Sequence, residues 1–112
     1  MDVDYETAIE DGETWVAVVD GKIAGFLVVV VMADHLLLEN VVVHPDFQGY
    51  GLGRRLLAIA EERADAHGLR KIKLFTNAVM VENQQLYERR GYVETDRRRD
   101  NRFDRVFYEK QL

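Results

Sequence analysis

Hydrophobic and polar positions along this chain change period several times, and each change marks an element. Trp15–Val19 alternates apolar with less apolar residues, the period-2 pattern of a strand. Asp20-Gly21 follows, a pair suited to the type I′ turn of a hairpin. Ile23–Met32 then predicts a long antiparallel strand, with Gly25 as a candidate bulge. Leu36–Val43 is a further apolar, β-branched strand, stopped by Pro45. From Gly53 to His67 the period becomes helical. Leu56, Leu57, Ala60 and Ala64 form one stripe, and Gly68 closes the helix. Ile72–Thr76 is a short strand, and Met80–Arg90 is a second helix ending at Gly91. Tyr92–Arg98 and Arg105–Lys110 predict a final hairpin around Asp100-Asn101. Residues 3–11 are acidic with scattered apolars and are expected to be the end of a helix.

The expected order is β-β-β-α-β-α-β-β, an α/β fold with one mixed sheet. The strands at 36–43 and 72–76 flank a helix and should run parallel. With 112 residues and no internal repeat or linker, the chain is expected to be a single domain over 1–112.

Residues 48–53, Gln-Gly-Tyr-Gly-Leu-Gly, carry the clearest chemistry. Three glycines alternate between a strand and an amphipathic helix. Such a turn lets successive N–H groups point at one anion, and the helix N-terminus adds its positive dipole end. That is a pyrophosphate cradle. A Walker loop would need Gly-Lys-Ser/Thr, whereas Arg54 and Arg55 follow Gly53. The dinucleotide fingerprint would need Gly-x-Gly-x-x-Gly, and the spacing here is Gly-x-Gly-x-Gly.

On these residues the chain resembles the GNAT acetyltransferase superfamily. The match is Gln48-x-x-Gly51-x-Gly53, with Leu38-Glu39-Asn40-Val41-Val42-Val43-His44-Pro45 upstream and Asn83-Gln84-Gln85-Leu86-Tyr87-Glu88-Arg89-Arg90-Gly91-Tyr92 downstream. The resemblance implies acetyl-CoA as cosubstrate, with its pyrophosphate on Gln48, Gly49, Tyr50, Gly51, Leu52, Gly53 and Arg54. It implies splayed parallel central strands, with the pantetheine arm against the backbone of Val41, Val42 and Val43. Asn77 and Asn83 are candidates for the pantetheine amides, with a cap or turn role as the alternative. Arg54, Arg55 and Arg89 are candidates for the 3′-phosphate.

Two residues are candidates for acid–base chemistry. Tyr87, four residues before Gly91, is implied to protonate the leaving thiolate, since a phenol with a pKa of about 10 is protonated at neutral pH. Glu39 interrupts an apolar strand, where a carboxylate must be solvated or functional. It matches a glutamate used as general base in some amine acetyltransferases. Asn40, His35 and His44 are weaker candidates. The chain has neither serine nor cysteine, which removes the two commonest acyl-enzyme nucleophiles. The expected reaction is therefore direct transfer of acetyl to a primary amine. The alternatives are a non-catalytic acyl-CoA-binding module, or half of an assembly completed by another chain.

Charge and composition refine this picture. Residues 1–53 hold ten acids and one base, whereas residues 54–112 hold ten acids and fourteen bases. This predicts an acidic acceptor side, a basic cofactor side and a small-molecule or peptide amine acceptor of cationic type. Asp96, Asp100 and Asp104 interleave the arginines at 97–99 and 102, which argues against nucleic acid. No run is long enough to span a membrane, no signal peptide is visible, and no cysteine is present, so a cytoplasmic location is expected. No His/Asp/Glu cluster has ligand spacing, so no metal is implied. The resembling family carries a strand and two helices ahead of the part matching Trp15, and only 14 residues stand there in this chain. A natural minimal form, a truncated one, and an acceptor wall completed by a partner, such as a second copy in a homodimer, all stay open.

Overall fold

In the computed structural model, residues 3–9, 13–100 and 103–112 are described. Seven strands form one sheet in the order β1-β2-β3-β4-β5-β7-β6. The strands are β1 (Asp4–Ile9), β2 (Glu13–Val19), β3 (Lys22–Val31), β4 (Leu36–Val43), β5 (Lys71–Asn77), β6 (Val93–Asp100) and β7 (Phe103–Gln111). Helix α1 (Leu52–Ala66) connects β4 to β5, and helix α2 (Val81–Arg89) connects β5 to β6.

The alternation anticipated for the first hairpin is present. Val19 pairs with Lys22, and Asp20 and Gly21 have φ of 51° and 76°, the two positive values a type I′ turn requires. On β2 and β3, Ala17, Val19, Leu27 and Val29 are buried under α1. Leu56, Leu57, Ala60 and Ala64 of α1 meet them, the stripe predicted from the helical period. Gly68 ends the helix with φ of 70°. Tyr87 is the buried residue of α2, and its ring stacks at a tilt on Tyr92 and Tyr108.

Two expectations are corrected. Residues 4–9 form a strand, not a helix end, pairing antiparallel with β2 from Asp4↔Val18 to Ile9↔Glu13. Tyr5, Thr7 and Ile9 alternate with acids or alanine, and pairing satisfies the open edge of β2. A strand therefore precedes Trp15, where none was expected. The irregularity between β2 and β3 falls at Ala24, which the register skips, and not at Gly25. Gly25 answers a different need, because a Cβ there would lie 2.5 Å from the Val42 carbonyl oxygen. The anticipated turn at Asp100-Asn101 extends outside the described residues, as do residues 10 and 11 of the segment expected to be helical.

Two features of β4 position the site. Val28 pairs with Asn40 and Val29 with Leu38, so Glu39 is an extra residue, a β-bulge. The bulge lets Leu38 and Val41, three apart, both turn into the core, while Glu39 and Asn40 are exposed. β4 and β5 run parallel, but only Leu36↔Ile72 and Leu37↔Lys73 are in register. Beyond Leu38 the two strands splay and leave a wedge-shaped opening.

Candidate active site

The glycine turn sits at the wide end of that opening. Pro45–Phe47 forms a short 3₁₀ turn, capped by His44, whose Nδ1 accepts the Asp46 N–H at 3.1 Å. His44 is thus structural. Gln48 Nε2 donates to the Val43 carbonyl at 3.4 Å, tying the turn back to the end of β4. Gly49 and Gly51 have φ of 88° and 76°, the left-handed region that favours glycine. Gly51 is the N-cap of α1 and carries no side chain to cap it. The first intrahelical bond runs from Arg55 N–H to the Gly51 carbonyl at 3.2 Å. The N–H groups of Leu52, Gly53 and Arg54 therefore stand at an uncapped helix end, a donor set suited to a phosphate.

A cleft of about 760 Å³ opens over this turn. Val41, Val42, Val43, Gln48, Gly49, Gly51, Leu52, Gly53, Arg54 and Asn83, all candidates from the sequence, line it. Arg89 lines it as well, whereas Arg55 does not. Tyr50 lines neither this cleft nor its neighbour and is 61% exposed. Phe47, Met80, Glu82, Leu86 and Arg90 complete the wall and had no local sequence signal. Arg90 is held by Glu61, Nε to Oε2 at 2.7 Å.

A second cleft of about 300 Å³ lies between the splayed strands, sharing Met80 and Asn83 with the first. Glu39 and Tyr87 both line it. Asn77 lines it too, apart from the glycine turn, and its Oδ1 accepts the Val79 N–H at 3.1 Å, a turn role. Asn83 Nδ2 approaches Met80 Sδ at 3.9 Å. Asn40 is in the same wall, but His35 is not, being held by Asp34 at 2.6 Å in the β3–β4 turn. Phe75, Thr76, Phe103 and Arg105 come from β5 and β7. They are far apart in sequence, and no pattern could have assigned them together.

The electrostatics of the two candidate groups differ. Tyr87 is 4% exposed, and burial pushes its phenol up to about 12. It keeps its proton across the physiological range. Its hydroxyl makes no hydrogen bond to another described residue. Glu39 is exposed at the bulge. Among the described acids of the first half, it alone lines the second cleft. Glu13 is instead consumed structurally. Arg63 Nε meets its Oε1 at 2.7 Å, and His67 Nε2 meets its Oε2 at 2.8 Å. No group of three or more described His, Cys, Asp or Glu residues is arranged to hold a metal. Among the described residues no helix is long and apolar enough to cross a membrane.

One mixed sheet with splayed parallel strands, a glycine turn at an uncapped helix and an adjoining cleft lined by Glu39 and Tyr87 define the class of this protein. The chain belongs to the GNAT acetyltransferase family: residues 10–94 match the family model described as acetyltransferase (GNAT) domain. It is 35% identical over 81 residues to the [ribosomal protein bS18]-alanine N-acetyltransferase of Escherichia coli strain K12, covering 72% of this chain and 55% of that protein. The chain thus spans about half the length of the curated relatives it matches. The solved structure of the Escherichia coli ribosomal-protein-S18-alanine N-acetyltransferase superposes with a TM-score of 0.81 at 29% identity, covering 93% of this chain and 71% of that one. An acetyltransferase of Bacillus subtilis, solved in complex with CoA, superposes with a TM-score of 0.85 at 18% identity over 99% of each chain.

Proposed function

We propose that this protein is an acetyl-CoA-dependent N-acetyltransferase that moves the acetyl group directly to a primary amine. One observation carries the reading. A cleft over the glycine turn joins a smaller cleft lined by both Glu39 and Tyr87. The first has the donors for a pyrophosphate, and a Cβ on Gly53 would press on Leu86 in its wall. The residues present therefore fit acetyl-CoA, with Val41–Val43 beside the pantetheine and Asn83 where the two clefts join.

Acetyl-CoA supplies an activated thioester, and an amine takes the acetyl group from it. The residues of this chain then have defined tasks. Glu39, at the mouth, takes a proton from the incoming ammonium, directly or through water, and leaves the neutral amine that attacks. Tyr87 holds a proton at Oη in the lining of the second cleft, available to the departing sulfur. With no serine or cysteine in the chain, a route through a serine or cysteine acyl-enzyme has no nucleophile. The likeness to an alanine N-acetyltransferase at 35% identity supports an amine acceptor.

The test combines calorimetry of acetyl-CoA binding with CoA release across a panel of amines. Tight binding and amine-dependent release are expected. Binding without release for any amine would reduce the protein to an acyl-CoA-binding module.

A further inference from the structure

Directly paired residues of a sheet point to the same side, so the register sorts the side chains onto two faces. Helix α1 packs on one face, against Ala17, Leu27 and Val29. Helix α2 lies on that face too, since Leu86 abuts Gly53 of α1 and Tyr87 stacks on the buried Tyr108. Among the described residues, no helix covers the other face. Phe26 pairs with Val42 there, Val30 with Leu37, and Phe75 with Phe107. A sheet face left to water is normally polar, which gives its strands their alternation. Residues 24–32 instead hold no polar side chain, and β4 is apolar except for Glu39 and Asn40. Strands of that composition are buried on both faces, whereas the described residues cover only one.

The bare face has the size and the charge to take a second copy. Seven strands about 4.8 Å apart and about 20 Å long give a flat footprint of roughly 650 Å². Accessible area exceeds a flat footprint, which brings it to the roughly 800 Å² per partner of a stable interface. Charge divides across the sheet, since β1 to β4 come from the acidic half of the chain and β5, β7 and β6 from the basic half. At the β1 end this face carries Asp4 and Glu6. Towards the other end it carries Lys73, Arg105 and Arg98, alongside Asp96 and Glu109. The face is therefore complementary to itself when the acidic half of one copy lies over the basic half of another.

We propose that this face joins two copies of the chain into a two-fold dimer, sheet on sheet, with the strands aligned to within about 30°. The axis runs along β4, the middle strand of seven. It lays β1 of one copy over β6 of the other, whereas an axis across the strands would set acid on acid. Levels along the strands agree as well. Counting from Leu37↔Lys73, with Glu39 the extra residue, Val42 stands level with Asn77. Val42 leads through Phe26 and Val16 to Glu6, and Asn77 leads through Arg105 to Arg98. Position 6 of one copy thus comes opposite position 98 of the other. Asn40 and Phe75 of the second cleft belong to this face, so the second copy stands over that side of the cleft.

Light scattering of the full chain across micromolar concentrations should give twice 13.0 kDa. Val30→Lys and Leu37→Lys, which put a charge near the centre of the face, should halve that mass with an unchanged circular dichroism spectrum. Val81→Lys, 55% exposed at the start of α2, should leave the dimer intact. The absence of cysteine allows a second measurement that does not depend on those variants. Glu6→Cys and Arg98→Cys proteins, mixed and treated with a short bis-maleimide, should cross-link to each other in preference to themselves. A monomer at every concentration, a dimer unmoved by both lysine variants on the face, loss of the dimer in Val81→Lys, or Glu6→Cys linking chiefly to itself would overturn the inference. Each of these outcomes leaves the acetyltransferase reading standing.

Discussion

A Cβ built on Gly53 would stand 3.1 Å from Leu86 Cδ2, so the first turn of α1 and the middle of α2 meet so closely that a methyl group there needs Leu86 to give way by a few tenths of an ångström. The contact lies in the wall of the larger cleft. It links the glycine turn to the helix that carries Tyr87, and the first prediction follows from it.

Gly51→Val and Gly53→Ala should both weaken acetyl-CoA binding, for different reasons. At Gly51, φ of 76° costs an L-residue about 1–2 kcal/mol, and a β-branched one more. At Gly53 the new methyl must displace Leu86, an overpacking cost of about 1–3 kcal/mol against roughly 1 kcal/mol regained in helix propensity. Arg54→Ala, at an exposed position, should cost about 1 kcal/mol or less. Calorimetry with acetyl-CoA should rank the losses Gly51→Val, Gly53→Ala, Arg54→Ala. An unchanged affinity in a folded Gly51→Val protein would remove the cradle.

Tyr87→Phe keeps the ring against Tyr92 and Tyr108, at centroid distances of 5.8 and 5.9 Å, and removes only the hydroxyl. Thermal stability should hold while kcat falls by roughly 10²–10⁴. Burial raises the Tyr87 pKa to about 12, so its protonated form persists on the alkaline side. The wild-type kcat profile should therefore show no fall from this group up to about pH 10. Near-normal kcat in Tyr87→Phe, with chemistry rate-limiting, would return the residue to a packing role.

Glu39 allows two changes. Glu39→Gln at this exposed bulge should alter stability by about 0.5 kcal/mol or less. It should depress kcat/KM most at low pH, where the amine most needs deprotonating. Deleting Glu39 outright removes the extra residue between the Val28↔Asn40 and Val29↔Leu38 pairs. Leu38 and Val41 then stand two apart and share the core face of a regular strand, so the ladder closes while the carboxylate is lost. Circular dichroism should show that chain folded, with kcat/KM reduced. A stable deletion protein with full activity would argue that the bulge is dispensable.

Glu13 links stability to pH. Chiefly through the Arg63 guanidinium, aided by His67 and Trp15 and opposed by burial, its carboxyl sits at about 2 instead of 4.5. A depressed carboxylate stabilises the fold fully above the unfolded value and loses that contribution as pH falls through the folded one. The window is therefore about pH 4.5 down to 2, and the shift corresponds to roughly 3 kcal/mol. Arg63 also lies 5.7 Å from the ring centroid of Trp15, the single tryptophan, so fluorescence reports the same cluster. Urea titrations followed by Trp15 emission should show Glu13→Gln destabilised by about 2–4 kcal/mol at pH 7 and the wild type approaching it near pH 2. Equal stabilities at pH 7 would mean the pair contributes nothing.

Much of this protein was legible in the order of its residues, because the governing interactions are local. Strand alternation, the Asp20-Gly21 turn, the Leu56–Ala64 stripe and the glycine turn each follow from backbone sterics and hydrogen bonding within a few residues. Tyr87 stood out in the sequence as a candidate, and the structure buries it beside a cleft. The first strand was not legible, because Tyr5, Thr7 and Ile9 become a strand only once β2 offers its edge. Nor was the bulge at Glu39, since an extra residue exists only relative to a partner's register. Glu13 resembles any surface acid until α1 brings Arg63 and His67 across about fifty residues of chain to meet it. The lining of the second cleft was the least legible of all. Phe75, Phe103 and Arg105 become neighbours of Glu39 only when β4 and β5 part after two pairs and β7 closes alongside. Sequence thus determined the elements after the first strand and the glycine turn, whose physics is short-range. Tertiary structure decided which charges are spent on stability and which line the clefts, because that depends on long-range pairing no local pattern encodes.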